Sequence, residues 1–143
     1  MIPRFSRPEM AAIWTQENKY KIWMDVEMLA CEAQESIGVI PPGVTEKIRA
    51  KANFDAARID EIEREVKHDV IAFLTNLGEY VGDDARYIHL GMTSSDMLDT
   101  GFAIQLRQAS DIMLDGLDRV LAALRSRALE HKNTNCVGRS HGI

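Results

Sequence analysis

The sequence predicts an all-α protein, and three observations carry that expectation. Apolar residues recur at steps of three and four over long stretches, helix starts and stops bound those stretches, and no segment alternates apolar with polar residues as a half-buried strand does. The 143 residues hold 45% hydrophobic and 27% charged side chains, enough apolar surface for one modest core and too much for a disordered chain.

The first helix is expected to open with Ser6 and Glu9 as a capping box and Pro8 in its first turn. A long amphipathic helix follows from Thr15 to Ile37, its stripe read as Ile22, Trp23, Val26, Leu29, Ala30, Ala33 and Ile37. Gly38 can end it, and Pro41-Pro42-Gly43 prevents its continuation. Residues 43 to 52 make at most a short helix. Asp55 is a natural N-cap for a charged helix through Glu65. A second apolar pattern runs from Val70 to Val81, with His68 and Asp69 at the junction between the two. Gly82-Asp83-Asp84 then reads as a turn.

After the loop "YIHLGMTSSD" the longest helix begins, with Thr93 and Asp96 as a capping pair. Leu98, Phe102, Leu106, Ala109, Met113, Leu117, Val120, Leu124 and Ala128 keep a helical period over some 30 residues, about 45 Å of helix. So long a stripe needs an equally long partner, which points to a bundle formed with other segments or other subunits. The division expected is an amino-terminal helical domain over 1–93 and the first part of a central bundle over 94–143.

Seventeen Lys and Arg against 22 Asp and Glu give a net charge of -5, which argues against a general nucleic-acid binder. A small anionic ligand needs only a few basic side chains and stays open. No apolar run reaches the roughly 18 residues that span a bilayer, and the opening MIPRFSRPEM lacks the apolar core of a signal peptide. A cytoplasmic protein without membrane contact is expected. Cys31 and Cys136 are too few and too scattered for a disulfide framework, so both read as free thiols.

Three constellations carry possible chemistry. Gly138-Arg139-Ser140-His141-Gly142 fits the G-x-S-x-G nucleophile elbow, but that motif needs a strand before the serine, and here a long helix and the polar "HKNTN" precede it. His131, Cys136 and His141 are five apart and all can ligate zinc, but there is no HExxH and no evident fourth ligand, so neither metal nor cofactor is expected. The third comprises His68 in "KHDV", His89 in "HLGMTSSD" and His141 in "GRSHG", each in a polar or glycine-containing junction. Imidazole titrates near neutral pH, and helix ends offer free backbone donors to an anion. Thr93 and Ser94 add two hydroxyls at a helix start, suited either to N-capping or to holding a carboxylate or phosphate.

"RFSRPEM", "KHDVIAF", "HLGMTSSDMLDT" and "GRSHG", in this order and spacing, resemble the amino-terminal part of the adenylosuccinate lyase family, within the fumarase/aspartase superfamily. The resemblance covers the whole chain. It implies an all-α homotetramer, fumarase/aspartase-like, whose active sites combine segments of several subunits around a bundle of long helices. It implies β-elimination of fumarate from adenylosuccinate and from succinylaminoimidazole carboxamide ribotide, small-molecule nucleotide substrates of purine synthesis.

By the same resemblance His141 matches the general acid, and Lys67, His68 and Asp69 a substrate-binding cluster in which His68 orients the reacting region. Thr93 and Ser94 match residues that hold the succinyl carboxylates, Arg4 and Phe5 the nucleotide contacts, and His89 a histidine near the phosphate. Phe5 stands where the family has tyrosine, and Ser140 where it has threonine. Ile143 comes before the family's Gly-rich loop with its serine base, so these residues alone are expected to be an inactive amino-terminal portion. The alternatives are another lyase of the superfamily, such as an argininosuccinate lyase, or a non-catalytic helical oligomerisation module.

Overall fold

The computed structural model describes residues 2–141, and among them every regular element is helical. After a short 3-10 turn at Pro3–Phe5 come α1 (Pro8–Ile13), α2 (Gln16–Ser36), α3 (Val44–Lys51), α4 (Ala56–Val66) and α5 (Asp69–Val81). A second 3-10 helix (Gly82–Tyr87) leads through a loop to α6 (Ser94–Glu130), which at 37 residues is about 55 Å long.

Most helix boundaries follow the expected chemistry. Thr15 caps α2 by accepting the Asn18 N–H at 3.2 Å, and Asp55 caps α4 by accepting the N–H groups of Ala57 and Arg58. Gly38 follows the end of α2 with φ 77°, the left-handed conformation in which glycine has no Cβ to clash.

Two local readings need correction. Ser6 is not the cap of α1: Arg7 occupies that position, and the Ser6 hydroxyl donates to the Ile2 carbonyl at 3.1 Å, closing the preceding 3-10 turn instead. Pro8 does take the first helical position. Residues 82–84 begin a six-residue 3-10 helix rather than a simple turn.

By packing, the chain separates into two compact units, residues 1–108 and 109–143. The first has a closed core. Tyr20 stacks on Phe73 with centroids 5.7 Å apart, while Trp23 meets the edges of both rings at 5.4 and 5.6 Å. Ile48, Ile59, Leu77 and Met97 are fully buried around them. The start of α6 enters this core at Gly101, where a Cβ would come within 2.9 Å of the Trp23 ring. Glycine at that turn is what allows the helix to pass so close.

The stripe expected on α2 is rotated from the observed one. Ile22 and Trp23 are buried and Val26 and Ala30 half-buried, but Leu29 and Ile37 are 61% and 75% exposed. The face that packs inward runs through Tyr20, Trp23, Glu27, Met28 and Cys31. Apolar residues on two sides of α2 satisfy the same periodicity, and the stripe read from sequence merged them.

Among the described residues of the second unit only Ala109 is buried. Met113, Leu117, Val120 and Leu124 recur at steps of four, three and four and are each 54–61% exposed. Residues 131–141 follow the helix as turns and coil. Among the described residues no helix is long and apolar enough to cross a membrane.

Candidate functional site

The junction of α4 and α5 is built by backbone conformation. Lys67 ends α4 at φ 56°, a left-handed residue whose N–H still reaches the Glu63 carbonyl at 2.9 Å. His68 then swings to extended geometry as the cap of α5, its Nδ1 accepting the Ile71 N–H at 3.4 Å. The same Nδ1 lies 3.5 Å from Asp69 Oδ1. One nitrogen cannot accept from Ile71 and donate to Asp69 at once, so the cap and the ion pair are alternatives decided by where the imidazole proton sits. In the capping state a neutral ring carries its proton on Nε2. Asp69 meanwhile accepts the Val70 N–H at 2.8 Å.

Lys19, on the first turn of α2, is a neighbour that the sequence reading missed. Its ammonium lies 4.5 Å above the Tyr20 ring and 4.8 Å from that of Trp23, held by cation–π attraction. Burial draws the Lys19 pKa below its ordinary value, against the opposing pull of Asp69, Glu63 and Asp60. Burial likewise raises the Tyr20 phenol to about 12, helped by the same three carboxylates. The Lys19 ammonium therefore sits in the field of the Asp69, Glu63 and Asp60 carboxylates beside the junction.

His89 is placed by a different device. It adopts φ 63°, uncommon outside glycine, and both its backbone N–H and its Nδ1 bind Glu27, at 2.9 and 2.5 Å. Glu27 is fully buried. Sequence reasoning passed over it, although its position four residues after Trp23 and four before Cys31 puts it on the buried stripe. The loop then reaches Thr93, whose N–H donates to Asp96 Oδ2 at 2.8 Å just ahead of α6. Thr93 is exposed and Ser94 half-buried.

Arg4 and Phe5 lie in the first 3-10 turn, the guanidinium 4.7 Å above the exposed Phe5 ring. All of these belong to the first unit. His141 belongs to the second, exposed in a turn at φ 51°. Ser140 follows a helix and a coil, with no strand among the described residues, so the elbow context is missing there; Gly142 lies outside those residues.

The expected free thiols are found, Cys31 buried and Cys136 exposed. Burial, then the Glu27 and Glu35 carboxylates, push the Cys31 thiol up to about 11, which makes it an inert core group. Among the described residues no three His, Cys, Asp or Glu side chains gather as a metal site. A cleft of about 530 Å³ between α2 and α3 contains none of the candidate residues, and Glu35 on its wall is committed to capping α3 through the Gly43 and Thr45 N–H groups.

A family model described as lyase matches residues 4–143. The chain belongs to the lyase family. Its relatives include the adenylosuccinate lyases of Synechocystis sp., 54% identical over 143 residues, and of Bacillus subtilis, 46% identical over the same length. Both alignments cover all of this chain and 33% of the relative, so the chain spans about a third of the length of the curated relatives it matches. Among solved structures, a 3-carboxy-cis,cis-muconate lactonizing enzyme from Pseudomonas putida superposes with a TM-score of 0.87 at 29% identity, over 97% of this chain and 33% of that one. A fumarate lyase from Mesorhizobium sp. gives 0.89 at 22% identity, over 97% and 34%, and supports the fold alone. The all-α lyase fold and the family resemblance read from the motifs are thus borne out.

Proposed function

We propose that this chain is the amino-terminal third of an adenylosuccinate lyase, which eliminates fumarate from adenylosuccinate to leave AMP, and from succinylaminoimidazole carboxamide ribotide in the same manner. One observation carries this: relatives named adenylosuccinate lyase are 43–54% identical to it along its entire length. The reading draws further support from the helix junctions, which hold Lys67, His68, Asp69, Thr93 and Ser94 next to backbone groups suited to anions.

In this reading a base takes the proton beside the succinyl carboxylate, the carbon–nitrogen bond breaks, and the departing nitrogen is protonated as fumarate leaves. His141 is the acid for that nitrogen, since an imidazole can deliver a proton near neutral pH. The base belongs to the part of the enzyme that the relatives carry beyond this third. Developing charge on the carboxylate needs preorganised donors, the role assigned to Thr93 and Ser94. Lys67 and Asp69 bind substrate, and His68 orients it with the Nε2–H of its capping state. Arg4 and Phe5 meet the nucleotide, where phenylalanine offers stacking without a hydroxyl. His89 lies toward the phosphate. The chemistry assigned to these side chains uses no metal or cofactor.

Residues 1–93 are the amino-terminal domain and 94–143 the beginning of a central bundle. The exposed stripe Met113, Leu117, Val120 and Leu124 supports assembly into a homotetramer, because each such side chain gains about 1.5–3 kcal/mol when fully buried. A cytoplasmic location fits this biosynthetic role.

The test is substrate choice by the full-length protein. Adenylosuccinate should release fumarate and argininosuccinate should not. Release from argininosuccinate alone would move the assignment to another lyase of the superfamily, and release from neither would favour a non-catalytic helical module.

A further inference from the structure

Three side chains of α2 grip the loop that leads into α6. Glu27, Cys31 and Gln34 stand at i, i+4 and i+7, hence on one face. Glu27 takes the backbone N–H and Nδ1 of His89, the Cys31 thiol lies 3.6 Å from the Tyr87 carbonyl, and the Gln34 amide donates to the Leu90 carbonyl at 2.5 Å. Of the three, the bond to Glu27 fixes a side chain as well as a backbone. A fully buried carboxylate is expensive unless both oxygens are paired, and here one residue in a left-handed conformation supplies both partners.

We infer that Glu27 is a positioning residue that acts through His89, holding the proton on Nδ1 and leaving Nε2 as the ring's available polar atom. This rests on the lyase reading for what Nε2 meets: a nucleotide phosphate only accepts, so in that complex the ring carries a proton on Nε2 as well, Nδ1–H to Glu27 and Nε2–H to the phosphate. The His89 side chain is only 17% exposed, so its ring has little freedom to find another orientation. A carboxylate accepts both bonds. A glutamine offers one carbonyl oxygen and an NH₂ that would face the His89 N–H donor to donor.

The experiment uses the full-length protein with ¹⁵N-labelled histidine. In the wild type, His89 should show a proton on Nδ1, and added AMP should move the Nε2 signal more than the Nδ1 signal. A bare Nδ1 overturns the inference without any variant being made. The Glu27→Gln protein, checked for an unaltered tetramer and thermal midpoint, should lose kcat/KM for adenylosuccinate by on the order of 10- to 100-fold, mainly through KM. In a His89→Asn background the same substitution should cost little more, because the two residues act as one unit. An equal loss in both backgrounds would make Glu27 merely structural and sink the proposal. Should Glu27→Gln fail to fold, the wild-type spectra still decide. A wild type that releases no fumarate defeats the lyase reading separately, with the proton on Nδ1 read independently of turnover.

Discussion

The part of α6 that lies in the first unit and the part in the second share one helical period of apolar residues but differ in what they bury. Between Ser94 and Gln108 the helix buries Met97 completely and brings Gly101 against Trp23, although Phe102 and Leu106 stay exposed, whereas beyond Ala109 Met113, Leu114, Leu117, Val120, Leu121 and Leu124 all stand open to solvent. Hydrophobic periodicity alone does not distinguish the two. A helical stripe records that something covers it, and only the presence of aromatic partners such as Tyr20, Trp23 and Phe73 shows that the cover comes from within the chain.

That contrast can be broken first at the closed end. Phe73 is fully buried against the Tyr20 and Trp23 rings, so Phe73→Ala should destabilise the first unit by about 3–5 kcal/mol, read by denaturant unfolding of the 143-residue chain. A loss below 1 kcal/mol would mean that this core is far less closed than its burial indicates.

A smaller effect concerns α3. The Thr45 hydroxyl and the Gly43 and Thr45 N–H groups hold the Glu35 carboxyl below its ordinary pKa. A depressed folded-state pKa contributes stability that is present above the unfolded value and lost as pH falls through the folded one. Thermal stability should therefore decline through and below the usual carboxylate range, and Glu35→Gln should flatten part of that decline. An unchanged acid limb would show that the cap is not linked to folding.

At the open end, Leu117→Ala should change the stability of the 143-residue chain by no more than about 0.5 kcal/mol, as at other exposed positions. In the full-length protein it should weaken subunit assembly, seen by sedimentation at submicromolar concentration. A large effect on the isolated chain would reverse the contrast.

Much of the fold was legible because helix ends are written in local chemistry. Thr15, Asp55 and Gly38 do what their side chains or lack of one favour. Ser6 misled because a hydroxyl satisfies a preceding carbonyl as readily as a following N–H. Leu29 and Ile37 misled because periodicity does not tell which of two apolar sides meets the core. The junctions that carry the candidate residues were legible, with Lys67 and His68 at the α4–α5 turn and Thr93 ahead of α6. Glu27 escaped because a glutamate within a helix normally faces water, and its burial depends on a loop more than 60 residues away. Lys19 escaped for a related reason: its rings are local, but the carboxylates around it come from α4 and α5.

The most direct measurement is fumarate release from adenylosuccinate by the full-length enzyme and its His141→Ala variant at neutral pH, with matched folding and assembly. The account predicts a fall in turnover of roughly 100-fold or more, the scale for losing a general acid. Turnover equal to that of the wild type would contradict the assignment of His141, and with it the reading of this chain as the acid-bearing third of the lyase.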